Sequence, residues 1–390
     1  MVKDIVLIGA GHAHVEVLRS FGVNPLPRVR LTLITRRVLT PYSGMLPGMV
    51  AGLYTYDQAH IDTRPLSAFA GARLSHSEVI GLDLGAKRVL CRDLPPVPYD
   101  ILSIDIGSTP SAHEIPGVQE HAIPVKPIDG FIERFEAARA RILKAQGQAR
   151  VGVVGGGAGG VELLMSLHRR LTRDVADVGF DPAGLAFTLI TDSREILPTF
   201  PPRMQHRFAE LLRERGIRVM AGSTVVEVQP RGVMVKSTGL VALDEVFWTT
   251  RAAPAPWLAE TGLALDPDGF IRVNTTLQSV SHPDVFAAGD IAAIEGHALP
   301  KSGVYAVRQG PPLADNLRRM AEGKPLRPYK PQREALYLIS TGERYALGAR
   351  NGFTIEGSWV WTLKDFIDRR FMARFNRLPR KEAPDTGALV

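Results

Sequence analysis

Val151-Gly-Val-Val-Gly155-Gly-Gly157-Ala-Gly-Gly160-Val-Glu162 carries the spacing G-x-G-x-x-G behind an apolar run and ahead of a helical pattern. A short apolar run of this kind reads as a buried parallel strand. In such a strand–turn–helix unit the three glycines have separate duties. Gly155 permits the tight turn, Gly157 lets the backbone approach a pyrophosphate, and Gly160 lets helix and strand pack closely. The unpaired N–H groups and dipole at the helix start favour a phosphate. The motif therefore predicts a dinucleotide site.

Phe187–Thr191 supplies the second strand of the unit and leads into Asp192-Ser-Arg194. Asp192 suits an adenosine ribose 2′-hydroxyl and repels a 2′-phosphate, which favours NADH. Arg194 can pair with that same phosphate, so NADPH stays open, and an ordinary turn aspartate is the plain alternative for Asp192.

A second copy stands at the N-terminus. Lys3–Ile8 is apolar, Gly9-Ala-Gly11-His12-Ala-His14 follows, and Leu31–Thr35 is the next strand candidate. This copy is irregular. His14 takes the third glycine position, which puts the close approach of helix and strand in doubt, and Thr35-Arg36-Arg37 lacks the usual acid for a ribose. His12 and His14 suit either pyrophosphate contact or a structural role.

Elsewhere the sequence predicts a Gly- and Pro-rich loop over Tyr42–Tyr54 and hairpin-like strands over Arg73–Leu84 and Arg88–Arg92. A buried run, Tyr99–Pro110, includes Gly107. Helices are expected over Pro127–Ala145, Pro202–Arg215 and Val304–Ala321, and strands near Val219, Val225 and Val233, with Asp244–Arg251 closing the unit. Thr172–Gly184 reads as a polar insertion. Strands at Ala335–Ser340 and Tyr345–Ala349 precede an aromatic, basic terminal helix.

With 390 residues, 45% hydrophobic and 22% charged, the chain is globular and long enough for two domains. The N-terminus is expected to be a first strand and not a signal peptide. No stretch of about 18 consecutive apolar residues occurs, so a cytoplasmic protein is expected. The net charge of +7 is concentrated near the end. Between Trp359 and Lys381 seven Lys/Arg (364, 369, 370, 374, 377, 380, 381) face two acids, Asp365 and Asp368. That distribution argues against nucleic acid and for a local anionic surface. Cys91 is the only cysteine, which excludes an internal disulfide or a cysteine metal cluster, and no metal site is expected.

Two glycine motifs, the Gly107 turn and the late run Val285-Phe-Ala-Ala-Gly289-Asp290 together resemble the two-dinucleotide-binding-domain flavoproteins, the pyridine nucleotide-disulfide oxidoreductase superfamily. The resemblance implies an α/β fold of two Rossmann-like domains. An FAD domain (1–125 and 256–330) would hold an inserted NAD(P)H domain (126–255), with a C-terminal appendage (331–390). It implies that Gly9 and Gly11 face the FAD pyrophosphate, with His12, Thr35 and Arg36 near the nucleotide, and that the Val79 backbone meets adenine. Asp290 would accept from the ribityl hydroxyls, and the helix after Lys301 would aim its positive end at the flavin pyrimidine. Glu162 lies where the family often sets a glutamate near nicotinamide or flavin, to orient the carboxamide or move a proton. The alternative is a surface helix glutamate.

Disulfide reductases and sulfide:quinone oxidoreductases use cysteines that one-cysteine chains lack, whereas type II NADH dehydrogenases pass electrons from flavin directly to quinone. The chain is similar to the latter. Trp359, Trp361, Leu363, Phe366, Ile367, Phe371, Met372 and Phe375 recur at helical spacing among cations, as in a helix lying in a membrane interface. Docking on its own domain or in a homodimer is the alternative. His12-Ala-His14, Thr40–Gly48 and Val125–Gly130 also resemble the flavoprotein module fused ahead of selenide, water dikinase, with no kinase domain expected here. The expected activity is electron transfer from NADH through FAD to a quinone-like acceptor. A soluble flavin reductase for a selenium-linked or protein acceptor, or a nucleotide-binding module without turnover, are the other readings.

Overall fold

A computed structural model describes residues 2–110, 115–126, 128–250, 252–332 and 334–379. Two five-stranded parallel sheets are built on one plan. In the first, the strand order is Val285–Ala287, Ile101–Ile104, Lys3–Ile8, Val29–Thr35 and Arg73–His76. In the second it is Ile123–Pro124, Glu245–Trp248, Ala149–Val154, Leu185–Ile190 and Arg218–Met220.

Each glycine turn leaves the central strand of its sheet, which is why those two strands are apolar on both faces. Ile5, Leu7, Val151 and Val153 are completely buried. The chain leaves the first sheet after Ile101–Ile104, builds the second, and returns to the first with Val285–Ala287. Both crossover helices, His12–Val23 and Ala158–Asp177, start at the motifs.

Three local expectations are corrected, and one is made specific: the polar stretch Thr172–Gly184 lengthens the crossover as the last turns of its helix and the turn after it. The helix continues through Asp177, because Val175 is buried on its core face, and a short 3₁₀ turn Pro182–Gly184 follows. Arg73–Leu84 is not one arm of a hairpin. Arg73–His76 joins the parallel sheet, and only Val79–Asp83 pairs antiparallel with Arg88–Cys91. Within the expected loop, Leu46–Val50 is a helical turn buried throughout. The C-terminal part holds a third strand, Phe353–Gly357, before the helix Ser358–Asn376. Arg251, Arg380 and Lys381, read above as a strand end and as part of the basic cluster, lie outside the described residues, as does Pro127.

Helix Gly303–Ala321 keeps its course despite Pro311 and Pro312, and packs against helix His12–Val23. Gly310 lies at that contact, where a β-carbon would meet the Glu16 side chain at 2.7 Å.

Candidate functional site

The second glycine turn is open. Gly155 holds φ +124°, and a β-carbon there would meet Thr249 Oγ1 at 2.4 Å. A β-carbon on Gly160 would stand 1.9 Å from the Gly155 carbonyl oxygen, so this position tolerates only glycine. At Gly157 no protein atom lies within 4 Å of that point. Among the described residues no protein acceptor takes the N–H of Ala158, Gly159 or Gly160. These are the unsatisfied donors that favour an anion at a helix start. Asp192 and Arg194 are exposed just beyond the neighbouring strand.

The first turn is different. Gly9 has φ +85° for the turn itself. His14 fills the third glycine position, and the contact that glycine makes in the second motif becomes a hydrogen bond. His14 Nδ1 lies 2.6 Å from the Gly9 carbonyl oxygen and Nε2 lies 2.8 Å from Ser103 Oγ. A carbonyl can only accept, so Nδ1 carries the proton and Ser103 donates to Nε2. Burial lowers the His14 pKa to about 4, which keeps the ring neutral. Helix and strand thus stay locked without the third glycine.

The anion position of the first turn holds Asp105, from the end of the neighbouring strand. Its Oδ2 accepts from the N–H groups of Ala13 (2.8 Å) and His14 (3.0 Å). The Gly11 N–H donates to the Asp105 carbonyl at 3.1 Å. Asp105 was not anticipated, yet a signal existed: it is the one acid inside the run Ile101–Ile106, and an acid in a buried run needs donors.

A cavity of about 1360 Å³ opens from this turn. Its wall includes Gly9, Gly11, His12, Thr35, Arg36, Val79, Gly107, Asp290 and Lys301, with Gly159 and Thr249–Thr250 from the second sheet's domain. The structure therefore brings most of the expected FAD residues together, and sets the start of the second motif's helix beside them. Gly289, Gly155, Gly157, Gly160, Glu162 and Asp192 are outside this wall.

Within the cavity, Asp290 Oδ2 accepts from Lys126 Nζ at 2.7 Å and from Ser108 Oγ at 3.0 Å. Lys126 follows the edge strand Ile123–Pro124 of the second sheet, just ahead of helix Ile128–Lys144. Lys301 is turned aside: its ammonium donates to the Ala292 carbonyl (2.6 Å) and lies 3.9 Å from the Phe270 ring centre. Thr35 Oγ1 donates to the Arg37 carbonyl at 2.9 Å. Gly107 has φ +70°, and no protein atom lies within 4 Å of the point where a β-carbon would stand. The large, glycine-rimmed cavity with the Asp290 carboxylate in its wall fits a dinucleotide such as FAD.

His12 connects this wall to the C-terminal helix. Ser43 donates to His12 Nε2 through its N–H at 3.4 Å, and its hydroxyl is 3.3 Å away. The Tyr42 ring packs against both His12 and Phe371, at centroid distances of 5.4 and 4.5 Å. Burial lowers the His12 pKa to about 4.

Beneath the helix runs a chain of ionisable groups. Tyr42 donates to Asp368, Asp368 pairs with Lys364 at 2.7 Å, and Lys364 also donates to the Gly44 carbonyl at 2.5 Å. Glu162 Oε1 accepts from the Ser340 N–H at 2.8 Å. Burial raises the Glu162 pKa to about 7, against the opposing charge of Lys364. Burial works against the charged form of Lys364, but the Asp368 and Glu162 carboxylates outweigh it and raise its pKa. Sequence reading singled out Glu162 but gave Lys364 and Asp368 no place beside it. Their spacing of four on the docked helix face was the available signal.

That helix, read above as either membrane-facing or docked, has both kinds of face. Val360, Lys364, Asp368, Phe371, Met372 and Phe375 are buried against the same chain, and Arg374 pairs with Glu16 at 2.7 Å. Trp359, Phe366 and Ile367 are 56%, 58% and 39% exposed on the other side.

Residues 3–315 match the pyridine nucleotide-disulphide oxidoreductase family. The chain belongs to that family. It is an FAD-dependent NAD(P)H oxidoreductase, with FAD and a nicotinamide dinucleotide as cofactors. Among curated relatives, it is 25% identical to the NADH dehydrogenase-like protein YutJ of Bacillus subtilis, over 90% of this chain and 92% of that one. It is 24% identical to the type II NADH:quinone oxidoreductase of Haemophilus influenzae, over 92% and 91%. Among solved structures, NDH2 from Plasmodium falciparum in complex with NADH superposes with a TM-score of 0.80 at 14% identity, covering 98% of this chain and all of that one. The sulfide:quinone oxidoreductase of Aquifex aeolicus gives 0.80 at 18% identity, over 96% and 92%. Among the described residues no helix is long and apolar enough to cross a membrane.

Proposed function

We propose that this oxidoreductase takes electrons from NADH and delivers them directly to a quinone-like acceptor at a membrane surface. The observation that carries this is the terminal helix, which buries Lys364 and Asp368 beside the cavity's Tyr42 loop and exposes aromatics outward. With Cys91 as the only cysteine, no dithiol of the chain can relay electrons.

FAD, when bound, supplies the hydride and electron chemistry. The protein's part is to hold both nucleotides and to manage one proton. Gly9, Gly11, His12, Thr35, Arg36, Val79, Gly107, Gly289, Asp290 and Lys301 are assigned to FAD. Gly155, Gly157, Gly160 and Asp192 are assigned to NADH. The exposed Asp192 favours a free ribose 2′-hydroxyl, and the exposed Arg194 keeps NADPH within reach. Gly159 and Thr250 line the same cavity, which supports a reading in which the two nucleotides meet at that end.

Reducing a quinone to its hydroquinone takes two electrons and two protons. A hydride from NADH carries two electrons and one proton, so one more proton must enter. Glu162, which keeps its proton below about pH 7, with Lys364, Asp368 and Tyr42 is the route assigned to it.

The test is spectroscopic. NADH should bleach the visible flavin band of the purified protein, and a short-chain quinone should restore it within one turnover. Protein without a flavin band, or a band that NADH leaves intact, would refute the reading. A second expectation concerns the exposed face. Replacing Trp359 and Phe366 together by serine should lower binding to anionic lipid vesicles by about tenfold or more, measured by co-sedimentation. Equal sedimentation of both proteins would remove the membrane from the proposal.

A further inference from the structure

We infer that Asp105 is itself an FAD-binding group, which accepts a proton as FAD binds and donates it in a hydrogen bond to the cofactor's diphosphate. This rests on the assignment of FAD to the cavity at the first glycine turn.

The geometry separates this turn from its counterpart. In the second motif the helix start is bare of protein acceptors, whereas here Asp105 Oδ2 takes the N–H groups of Ala13 and His14. Three glycines exist to seat this one residue. A β-carbon at Gly11 would stand 2.3 Å from Asp105 Oδ1, one at Gly289 would stand 2.5 Å from the same atom, and one at Gly9 would stand 2.4 Å from the Asp105 carbonyl oxygen. The glycines that the family motif reserves for a diphosphate are therefore taken up by a resident carboxyl group. It is 2% exposed, yet it forms part of the cavity wall.

A diphosphate brought to this helix start adds two negative charges beside a carboxylate. Like charges at such a site cannot both persist, so the weaker acid takes up a proton. Asp105 can do so without losing its anchor. Oδ2 keeps both amide bonds, while Oδ1, which accepts no hydrogen bond among the described residues, is free to carry the proton and donate.

The surrounding charges do not compensate for the carboxylate. On the helix, His12 and His14 are neutral, since burial lowers both pKa values to about 4. Beyond Gly289, Asp290 repels Asp105, and Lys126, which follows the second sheet's edge strand, is already paired with Asp290. Lys301 donates to the Ala292 carbonyl. On helix Gly303–Ala321, the facing polar group is the neutral Gln309, which accepts from the Gly289 N–H at 2.7 Å. Before FAD arrives, burial already raises the Asp105 pKa to about 7, against the two amides.

Binding FAD raises the proton affinity of Asp105 further, so affinity for FAD is full below the value in the free protein and falls as pH rises above it. The full-length protein should therefore lose FAD affinity by about tenfold per pH unit above about pH 7, read from the fluorescence of released FAD. Titration of FAD into the wild-type apoprotein in two buffers of different ionisation enthalpy should show uptake approaching one proton. Asp105→Asn keeps a side-chain oxygen for the two amides and cannot titrate, so its FAD affinity should be flat over the same range. A flat wild-type profile, no proton uptake, or the same slope in Asp105→Asn would overturn the inference while leaving the FAD assignment intact. Absence of FAD binding at every pH would overturn both.

Discussion

Replacing Gly160 by alanine should abolish NADH-dependent activity and lower the melting temperature, whereas Gly157→Ala should raise the KM for NADH with little change in stability. The two glycines are three residues apart in one motif, and their surroundings differ completely. The new methyl group at 160 would stand 1.9 Å from the Gly155 carbonyl oxygen and 2.7 Å from Thr249 Oγ1. The first of these is backbone, so no side-chain rotation relieves it. The helix must shift away from its strand, at a cost of about 3 kcal/mol or more, a large share of a domain's stability. At Gly157 the methyl meets no protein atom within 4 Å. It stands instead where the proposed site admits a phosphate, so the loss should fall on binding. Thermal denaturation and the KM for NADH, measured on both variants, check this. Equal melting temperatures for Gly160→Ala and wild type would contradict the packing argument.

Replacing Glu162 by glutamine should slow reoxidation by a quinone about 100-fold, the lower range for loss of a positioned proton donor. It should also remove a pH dependence. The Glu162 pKa is raised by burial to about 7, so the proton-carrying form is present below that value and lost as pH rises through it. In wild type the rate of reoxidation should fall across that window, and in Glu162→Gln it should be slow and level. A third protein tests whether the charge network sets the midpoint. Asp368 raises the proton affinity of Glu162, so Asp368→Asn should move the midpoint to lower pH. A structural role for these residues would leave the midpoint in place. Stopped-flow reoxidation across pH reads all three proteins.

Much of the fold was legible because parallel strands buried on both faces read as unbroken apolar runs, and because each run ends in a glycine turn of known spacing. The differences cluster where periodicity carries little information. Thr172–Asp177 is polar and still helical, with only Val175 and Asp174 buried, Asp174 held by Arg139 and Arg170. Arg73–Leu84 reads as one strand, but it divides between two sheets, and the division depends on partners distant in sequence.

The candidate site shows the same boundary. Residue order and the two glycine motifs by themselves determined that this chain pairs two dinucleotide domains. Each motif is a local strand–turn–helix unit whose conformation is written in adjacent residues. Tertiary structure alone decided how the irregular motif works. Whether His14 breaks the helix–strand contact or replaces it depends on Ser103, which stands 89 residues away, and on a carbonyl within hydrogen-bonding distance. Whether Asp105 is a spare acid or a resident anion depends on which amides surround it. Which face of the terminal helix is covered was equally undecidable from sequence, because aromatic residues line both faces. A buried polar group takes its meaning from its partners, and those partners come from strands and helices that only the completed fold brings together.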